Sequence, residues 1–336
     1  MRIFNINSET VPDIEFVQKY ISYGFIFNKI LKNTDIFIVN EELMDIIYPP
    51  LEEPETSCAD EMIKDNANKI SALKHPMEIS IANAFEDEKD KVRKEDEFTD
   101  ISEILGKCRK IKYNVSAFYA NSSMMGNIFN SIFKYNNSYD KNIYDLINNN
   151  YTSINTNKIK RAIFICHGRI IKSSLNLNVS TNTGFLATLF HELTHAYMDS
   201  SGKLNYGDYR NRIIEESLCE AMSYDCFRGT EFNADAAKFI FEGDKPLSYK
   251  CGIYISEIAK TVPVISIVNR WKQGDARGIL FYFYEFEKLS DDIYEVLKQG
   301  PFFNRTNLFY NIANRSNDYA SNMLAMIIVE KTFEMT

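Results

Sequence analysis

The spacing of apolar residues predicts alternating strands and helices at the start of the chain. Short runs of apolar residues at Arg2–Ile6 and Asp35–Val39 are typical of strands. Between them, residues 14–31 carry apolar side chains at helical intervals, and Pro49 and Pro50 end this first block. We therefore predict the order strand, helix, strand, helix for the first 50 residues.

Two later segments have the pattern of strands. Residues 110–121 alternate between apolar and polar side chains, and residues 160–171 are rich in β-branched and aromatic residues. The stretch between them, up to Asn150, is rich in Asn and Ser and predicts long loops.

Helical spacing dominates the remainder of the chain. One helix is predicted to begin at residues 181–183 and to run to about Met198, and a second is predicted over residues 211–227. Because strands precede helices, we expect an α+β fold. We place a domain boundary near residue 155, with an N-terminal α/β region over 1–155 and a second domain over 156–336.

Composition and charge exclude several classes of protein. The 336 residues are 45% hydrophobic and 25% charged, which argues against disorder and against a coiled coil. The net charge is −8 without a basic block, so neither nucleic acid nor an anionic membrane is an expected partner. No apolar run approaches the ~20 residues of a membrane helix. The first residues lack the layout of a signal peptide, and we therefore expect a cytoplasmic protein, with secretion by another route as the alternative.

The motif that carries chemistry lies in the helix predicted to end near Met198. Residues 190–196 read Phe-His-Glu-Leu-Thr-His-Ala and contain H-E-x-x-H. His191 and His195 are one helical turn apart, so both imidazoles can bind one tetrahedral metal ion. Glu192 lies about 100° around the helix, within reach of a water molecule at the metal.

A catalytic zinc site needs a third protein ligand. No histidine follows His195, so a carboxylate of the next helix is the first choice. Glu216 and Glu220 lie one turn apart and suit a ligand and a carboxylate that accepts a hydrogen bond from a ligand imidazole. Glu215 is the alternative ligand. We assign Cys219 to core packing, on a different face of the helix from Glu216.

Residues 160–230 resemble the gluzincin group of zincin metallopeptidases. In that group H-E-x-x-H lies on one helix, and a glutamate of the following helix completes the zinc site. The matching residues here are His191, Glu192, His195, Glu216 and Glu220. The resemblance implies a zincin-like fold, with a small mixed sheet beside the active-site helix and a mainly helical C-terminal part.

The resemblance also implies an activity. We expect hydrolysis of a peptide or protein substrate with one Zn²⁺ per chain. Glu192 is the expected general base on a zinc-bound water and the donor of a proton to the leaving amine. The strand before the active-site helix would line the substrate cleft, and the segment 160–171 fits that place. His167 and Arg169 share a face of this segment, either to meet the substrate or as ordinary exposed strand residues.

The chain departs from the thermolysin-like members at the group that stabilises the oxyanion. Those members use a downstream histidine, and this chain has no histidine after His195. Tyrosine has this role in other gluzincins. The candidates here are Tyr206, Tyr209 and Tyr224, with Arg210 or Arg212 as further choices.

Two other functions stay open beside the peptidase. One is a non-catalytic protein that keeps a zincin fold for binding. The other is an effector-type protease dedicated to one protein substrate, with the N-terminal region used for recognition. The sequence also leaves open whether residues 1–155 are part of the catalytic fold, whether cleavage is internal or terminal, and the oligomeric state.

Overall fold

A computed structural model describes residues 1–54, 106–136, 142–199, 209–242, 252, 255–256, 263–275 and 279. Strands and helices alternate along most of these residues. The strands are β1 (Arg2–Ile6), β2 (Asp35–Val39), β3 (Leu51–Pro54), β4 (Lys110–Tyr113), β5 (Ala117–Asn121), β6 (Asn142–Asp145), β7 (Asn150–Ser153) and β8 (Arg161–Ile165). The helices are α1 (Ile14–Tyr20), α2 (Asn28–Leu31), α3 (Glu41–Ile47), α4 (Ser122–Tyr135), α5 (His167–Leu177), α6 (Thr181–Asp199), α7 (Tyr209–Asp225), α8 (Asn233–Phe241) and α9 (Val264–Lys272), with short 3₁₀ helices at Ile21–Phe27 and Thr156–Lys158.

A mixed six-stranded sheet has the strand order β5-β8-β2-β1-β6-β7. β1 and β8 are both parallel to β2, whereas β5 and β6 pair antiparallel with β8 and β1. The remaining pair, β3 and β4, forms a separate two-stranded sheet. These strands and helices confirm the mixed α+β class.

A ladder of phenylalanines crosses four strands of the large sheet. The strand register aligns Phe4 with Phe37, Phe37 with Phe164, and Phe164 with Phe118. Successive ring centroids are 5.2, 5.1 and 5.1 Å apart, within the range of favourable aromatic pairs. Phe129 of α4 packs edge-on against this ladder. The apolar contacts make the sheet a rigid support, and α6 packs against β5 and β8.

The first 50 residues have the predicted order of strand, helix, strand and helix, but the helix over 14–31 is interrupted. α1 and α2 are separated by the 3₁₀ segment, in which Gly24 has non-helical angles of φ −87° and ψ 43°. A Cβ atom on Gly24 would lie 2.6 Å from the ring of Phe190. The interruption therefore allows the chain to approach α6 closely beside the H-E-x-x-H motif.

The prediction of long loops up to Asn150 is wrong for the described residues. α4 occupies the first half of this stretch and begins where the side chain of Asn121 accepts a hydrogen bond from the N–H of Ser123. Its buried side chains recur at helical spacing, at Met125, Ile128, Phe129 and Ile132. The polar composition concealed this apolar face because Asn and Ser occupy the opposite one.

The prediction of one strand over 160–171 is also wrong beyond residue 165. β8 ends at Ile165, and α5 begins at His167. β8 lies between β5 and β2, so the edge strand at this side of the sheet is β5. β8 is buried on both faces, and its continuous apolar run did not show where the helix begins.

Two compact units divide the chain. The first comprises Met1–Glu52, Lys112–Leu204 and Glu215–Lys245, and the second comprises Glu53–Ile111, Asn205–Ile214 and Pro246–Thr336. The first unit holds the large sheet and α6. β1 and β2 therefore share a sheet with β8, as expected if the N-terminal region is part of the fold that carries H-E-x-x-H. Among the described residues, no helix combines the length and apolar character needed to cross a membrane.

Candidate metal centre

The two histidines of the motif lie on α6, the helix predicted to carry them, and both are buried there. His191 is 5% exposed and His195 is 9% exposed, and their ring centroids are 5.0 Å apart. Most of the helix is buried, including Leu189, Phe190 and Leu193 around the motif. A buried helix fixes the rotamers of its side chains, so the two imidazoles are held in place before any ion binds.

Glu216 of α7 meets both imidazoles through one oxygen atom. Its Oε2 atom lies 3.1 Å from Nε2 of His191 and 3.3 Å from Nε2 of His195. Nitrogen and oxygen ligands lie about 2.0–2.2 Å from zinc, so two donors on one tetrahedral ion are about 3.3 Å apart. Both distances from Glu216 therefore match those between donors on a single tetrahedral ion, and the donor set fits zinc.

Glu220 lies one turn further along α7. Its Oε2 atom is 3.7 Å from Nδ1 of His191, a distance that permits charge attraction but is longer than a hydrogen bond. This oxygen faces the ring nitrogen opposite the one that faces Glu216. Glu220 therefore lies behind the imidazole of His191, and its role as the carboxylate that orients this ring stays a prediction.

The carboxylates control the protonation of the two imidazoles. Burial by itself lowers the pKa of His191, but the carboxylates of Glu220 and Glu216 outweigh burial and raise it. The pKa of His195 is raised in the same way, chiefly by Glu216. Burial by itself raises the pKa of Glu216, yet the imidazoles of His195 and His191 lower it overall. The field that favours a proton on these rings also favours a divalent cation among them.

Glu192 points its carboxylate toward the edge strand β5. The backbone N–H of Tyr119 faces this carboxylate and acts to lower its pKa. Burial raises the pKa of Glu192, and the nearby His191 and His195 offset part of this rise. The general base predicted from the motif is therefore buried beside the imidazoles and faces a strand that the sequence did not identify as part of the site.

Among the described residues β5 is an edge strand, which explains why the N–H of Tyr119 can face Glu192. The N–H of Cys166 donates to the carbonyl oxygen of Ser116 at 2.8 Å, so Ser116 directs its backbone groups toward the strand that contains β8. Alternate residues of an antiparallel strand direct their groups to opposite sides. Ala117, Tyr119 and Asn121 therefore direct their N–H and C=O groups away from β8, and Tyr119 reaches Glu192.

Cys219 belongs to this centre, and its assignment to a different face of α7 is wrong. Cys219 is fully buried, and its Sγ atom and one ring nitrogen each of His191 and His195 lie within 4.8 Å of one another. Residues three apart on a helix are neighbours on one face, so Glu216 and Cys219 point the same way. His191, His195 and Cys219 thus form a buried cluster able to hold a metal ion. Burial and the nearby Glu216 and Glu215 raise the pKa of the Cys219 thiol well above its usual value.

The structure does not bring His167 and Arg169 to a substrate-lining strand. Both lie in the first turn of α5 and are buried. The ring of His167 packs edge-on against Phe185, and burial lowers its pKa. Arg169 donates to the carbonyl oxygen of Val115 at 2.6 Å and pairs with Asp45 at 2.7 Å. These two residues hold α5 in place, which corrects both alternatives of the sequence analysis, a strand that lines the cleft and an exposed strand.

The candidate oxyanion donors lie in different parts of the structure. Tyr206 lies outside the described residues, as do the side chains of Tyr209 and Arg210 at the start of α7. Tyr224 packs against Phe241 with ring centroids 5.2 Å apart, about two turns along α7 from Glu216. Arg212 pairs with the buried Glu53 at 3.3 Å. The identity of the donor stays a prediction.

Glu215, the alternative ligand, precedes Glu216 on α7 and is fully buried.

Comparisons with known proteins identify no family for this chain. No protein-family model, curated protein or solved structure matches the chain. The residues that sequence reasoning missed are Tyr119 and Cys219. The spacing of three between Glu216 and Cys219 was a usable signal, whereas the approach of Tyr119 to Glu192 depends on strand pairing and had no local signal.

Proposed function

We propose that this protein is a zinc-dependent metallopeptidase of the gluzincin type. The observation that carries the proposal is the position of Glu216 Oε2, 3.1 and 3.3 Å from the Nε2 atoms of His191 and His195. Two histidines and one glutamate are a donor set of catalytic zinc, which leaves a fourth position for water or substrate. Buried charges are otherwise costly unless they are paired or bind a metal.

The chain's own residues supply the remaining chemistry. Zinc, when bound, lowers the pKa of water and polarises a substrate carbonyl. Glu192 accepts a proton from the attacking water and passes it to the leaving amine. Tyr119 orients the carboxylate of Glu192 through its backbone N–H. Glu220 fixes the orientation of the His191 ring.

The edge strand beside Glu192 favours a peptide as substrate. β5 lies at the edge of the sheet, and Ala117, Tyr119 and Asn121 direct backbone groups away from β8. An extended peptide can pair with such an edge and place a scissile carbonyl beside the general base. β5 therefore replaces the segment 160–171 as the strand that we expect to line the cleft.

A second candidate is a protein that keeps the metal site for binding alone. The position of Cys219 favours it, because a zinc ion with four protein ligands has no open position for water. The dedicated protein substrate of an effector-type protease stays a prediction.

Cleavage of a diverse peptide library by the full chain tests the proposal. We expect one zinc ion per chain and cleavage that falls by about 10² to 10⁴ in Glu192→Gln, since loss of a general base costs this much. The variant should keep its zinc. Glu15→Gln, at an exposed glutamate of α1, is the matched control and should cleave like the wild type. Undiminished cleavage by Glu192→Gln, or a chain that binds no zinc, would contradict the proposal.

A further inference from the structure

We propose that Cys219 is a fourth protein ligand of the same metal site and closes it in the resting protein. This inference rests on the proposed function, because it concerns the regulation of the zinc ion that His191, His195 and Glu216 bind. A zinc ion with four protein ligands would have no coordination position for water or substrate. The release of Cys219 would open the position that hydrolysis needs.

The arrangement of the two helices supports four donors rather than three. α6 supplies two imidazoles four residues apart, and α7 supplies Glu216 and Cys219 three residues apart. Both spacings place the two side chains of each helix on one face. The sulfur and the two ring nitrogens lie within 4.8 Å of one another, and Cys219 is fully buried among them. α7 thus presents two donors to the imidazoles of α6: Glu216 Oε2, at 3.1 and 3.3 Å from their Nε2 atoms, and the Cys219 sulfur, within 4.8 Å of one nitrogen of each ring.

The chemistry of the thiol agrees with this role. A cysteine thiolate is a common ligand of zinc at about 2.3 Å, and four protein ligands are typical of sites that do not turn over. A core cysteine without such a role is an inert apolar side chain and needs no histidine beside it. Release of Cys219 would return its sulfur to the thiol, with the proton taken from solvent, and would leave a position for the water that Glu192 deprotonates. Four protein ligands would therefore keep the site closed until Cys219 is released.

Substitution of Co²⁺ for zinc tests the ligand directly. A thiolate ligand gives Co²⁺ an intense near-ultraviolet charge-transfer band, and four-coordinate Co²⁺ has separate visible bands. We expect both in the wild-type full chain. Cys219→Ser should lose the charge-transfer band and keep bound Co²⁺. Cys226→Ser is the matched control, because Cys226 follows α7 at a half-buried position, and it should keep both bands.

Each outcome separates this inference from the proposed function. Wild-type protein that binds Co²⁺ without the charge-transfer band overturns the role of Cys219 and leaves the site of two histidines and a glutamate intact. A band that persists in Cys219→Ser assigns the ligand to another thiol and also overturns it. Failure to bind Co²⁺ or zinc at all overturns both proposals. If Cys219→Ser does not fold, the wild-type spectrum still decides.

Discussion

The backbone N–H of Tyr119 faces the carboxylate of Glu192, across the gap between β5 and α6, and acts to lower the pKa of that carboxyl. The hydroxyl of the same tyrosine donates to Asp199 Oδ2 at 2.8 Å, at the last residue of α6. Burial and the Asp199 carboxylate raise the pKa of Tyr119, so its hydroxyl stays protonated as a donor. One residue of the edge strand therefore faces the predicted general base and holds the end of the helix that carries it.

Replacement of Tyr119 by Phe should weaken this connection without removing the N–H that contacts Glu192. A hydrogen bond to a charged group contributes about 1.5–3 kcal/mol, and we expect the free energy of unfolding to fall by up to this amount. Zinc content should be unchanged, while kcat falls because β5 is less firmly held. Urea unfolding and peptidase kinetics measure the two effects. Tyr151→Phe, at a tyrosine that is 74% exposed, is the control. Equal losses in both variants would contradict the role of Tyr119.

Replacement of Glu216 by Gln should remove most of the zinc affinity, because the oxygen shared by His191 and His195 loses its charge. The loss should exceed the about 10- to 100-fold that removal of a residue behind a ligand costs. Glu215→Gln is the matched variant at the adjacent position and should retain zinc. Competition with a chelator gives both dissociation constants. If Glu215→Gln loses zinc and Glu216→Gln keeps it, the two assignments must be exchanged.

Replacement of Glu220 by Gln should have a smaller effect than Glu216→Gln. Its carboxylate lies 3.7 Å from Nδ1 of His191 and acts through that ring, so zinc affinity or activity should fall by about 10- to 100-fold. The two zinc dissociation constants, measured side by side, check this order. A wild-type dissociation constant in Glu220→Gln would show that the carboxylate does not support the ring.

Replacement of Gly184 by Ala tests the packing that positions α6. A Cβ atom there would lie 2.7 Å from Ser174 Oγ and 2.8 Å from the ring of Phe239. Overpacking of this kind costs about 1–3 kcal/mol of the free energy of unfolding. Gly126 of α4 is the matched control, since a Cβ atom there meets nothing within 4 Å. Gly126→Ala should stabilise the protein by about 0.5–1 kcal/mol, and denaturant unfolding should show opposite signs for the two variants. The same sign for both would contradict the packing of α6.

Local spacing was sufficient to predict the part of the site that lies on one helix. His191, Glu192 and His195 are successive positions of α6, and the periodicity of an α-helix alone sets which of them share a face. The same reasoning selected Glu216 and Glu220 as a pair, because they are one turn apart on α7. This reasoning failed for Cys219 because Cys219, three residues after Glu216, was assigned to another face of α7.

The sequence by itself determined the helix that carries H-E-x-x-H, the pairing of Glu216 with Glu220, and the mixed class of the fold, because each follows from residues near one another in the chain. Tertiary structure alone decided that Glu216 meets a histidine 25 residues away, that Tyr119 reaches Glu192, and that Cys219 joins the cluster. It also decided that β8 is interior and β5 is the edge, which places His167 and Arg169 in a buried helix. These contacts depend on strand order and on helix packing, and the free energy that selects them comes from burial across the whole unit rather than from local sequence.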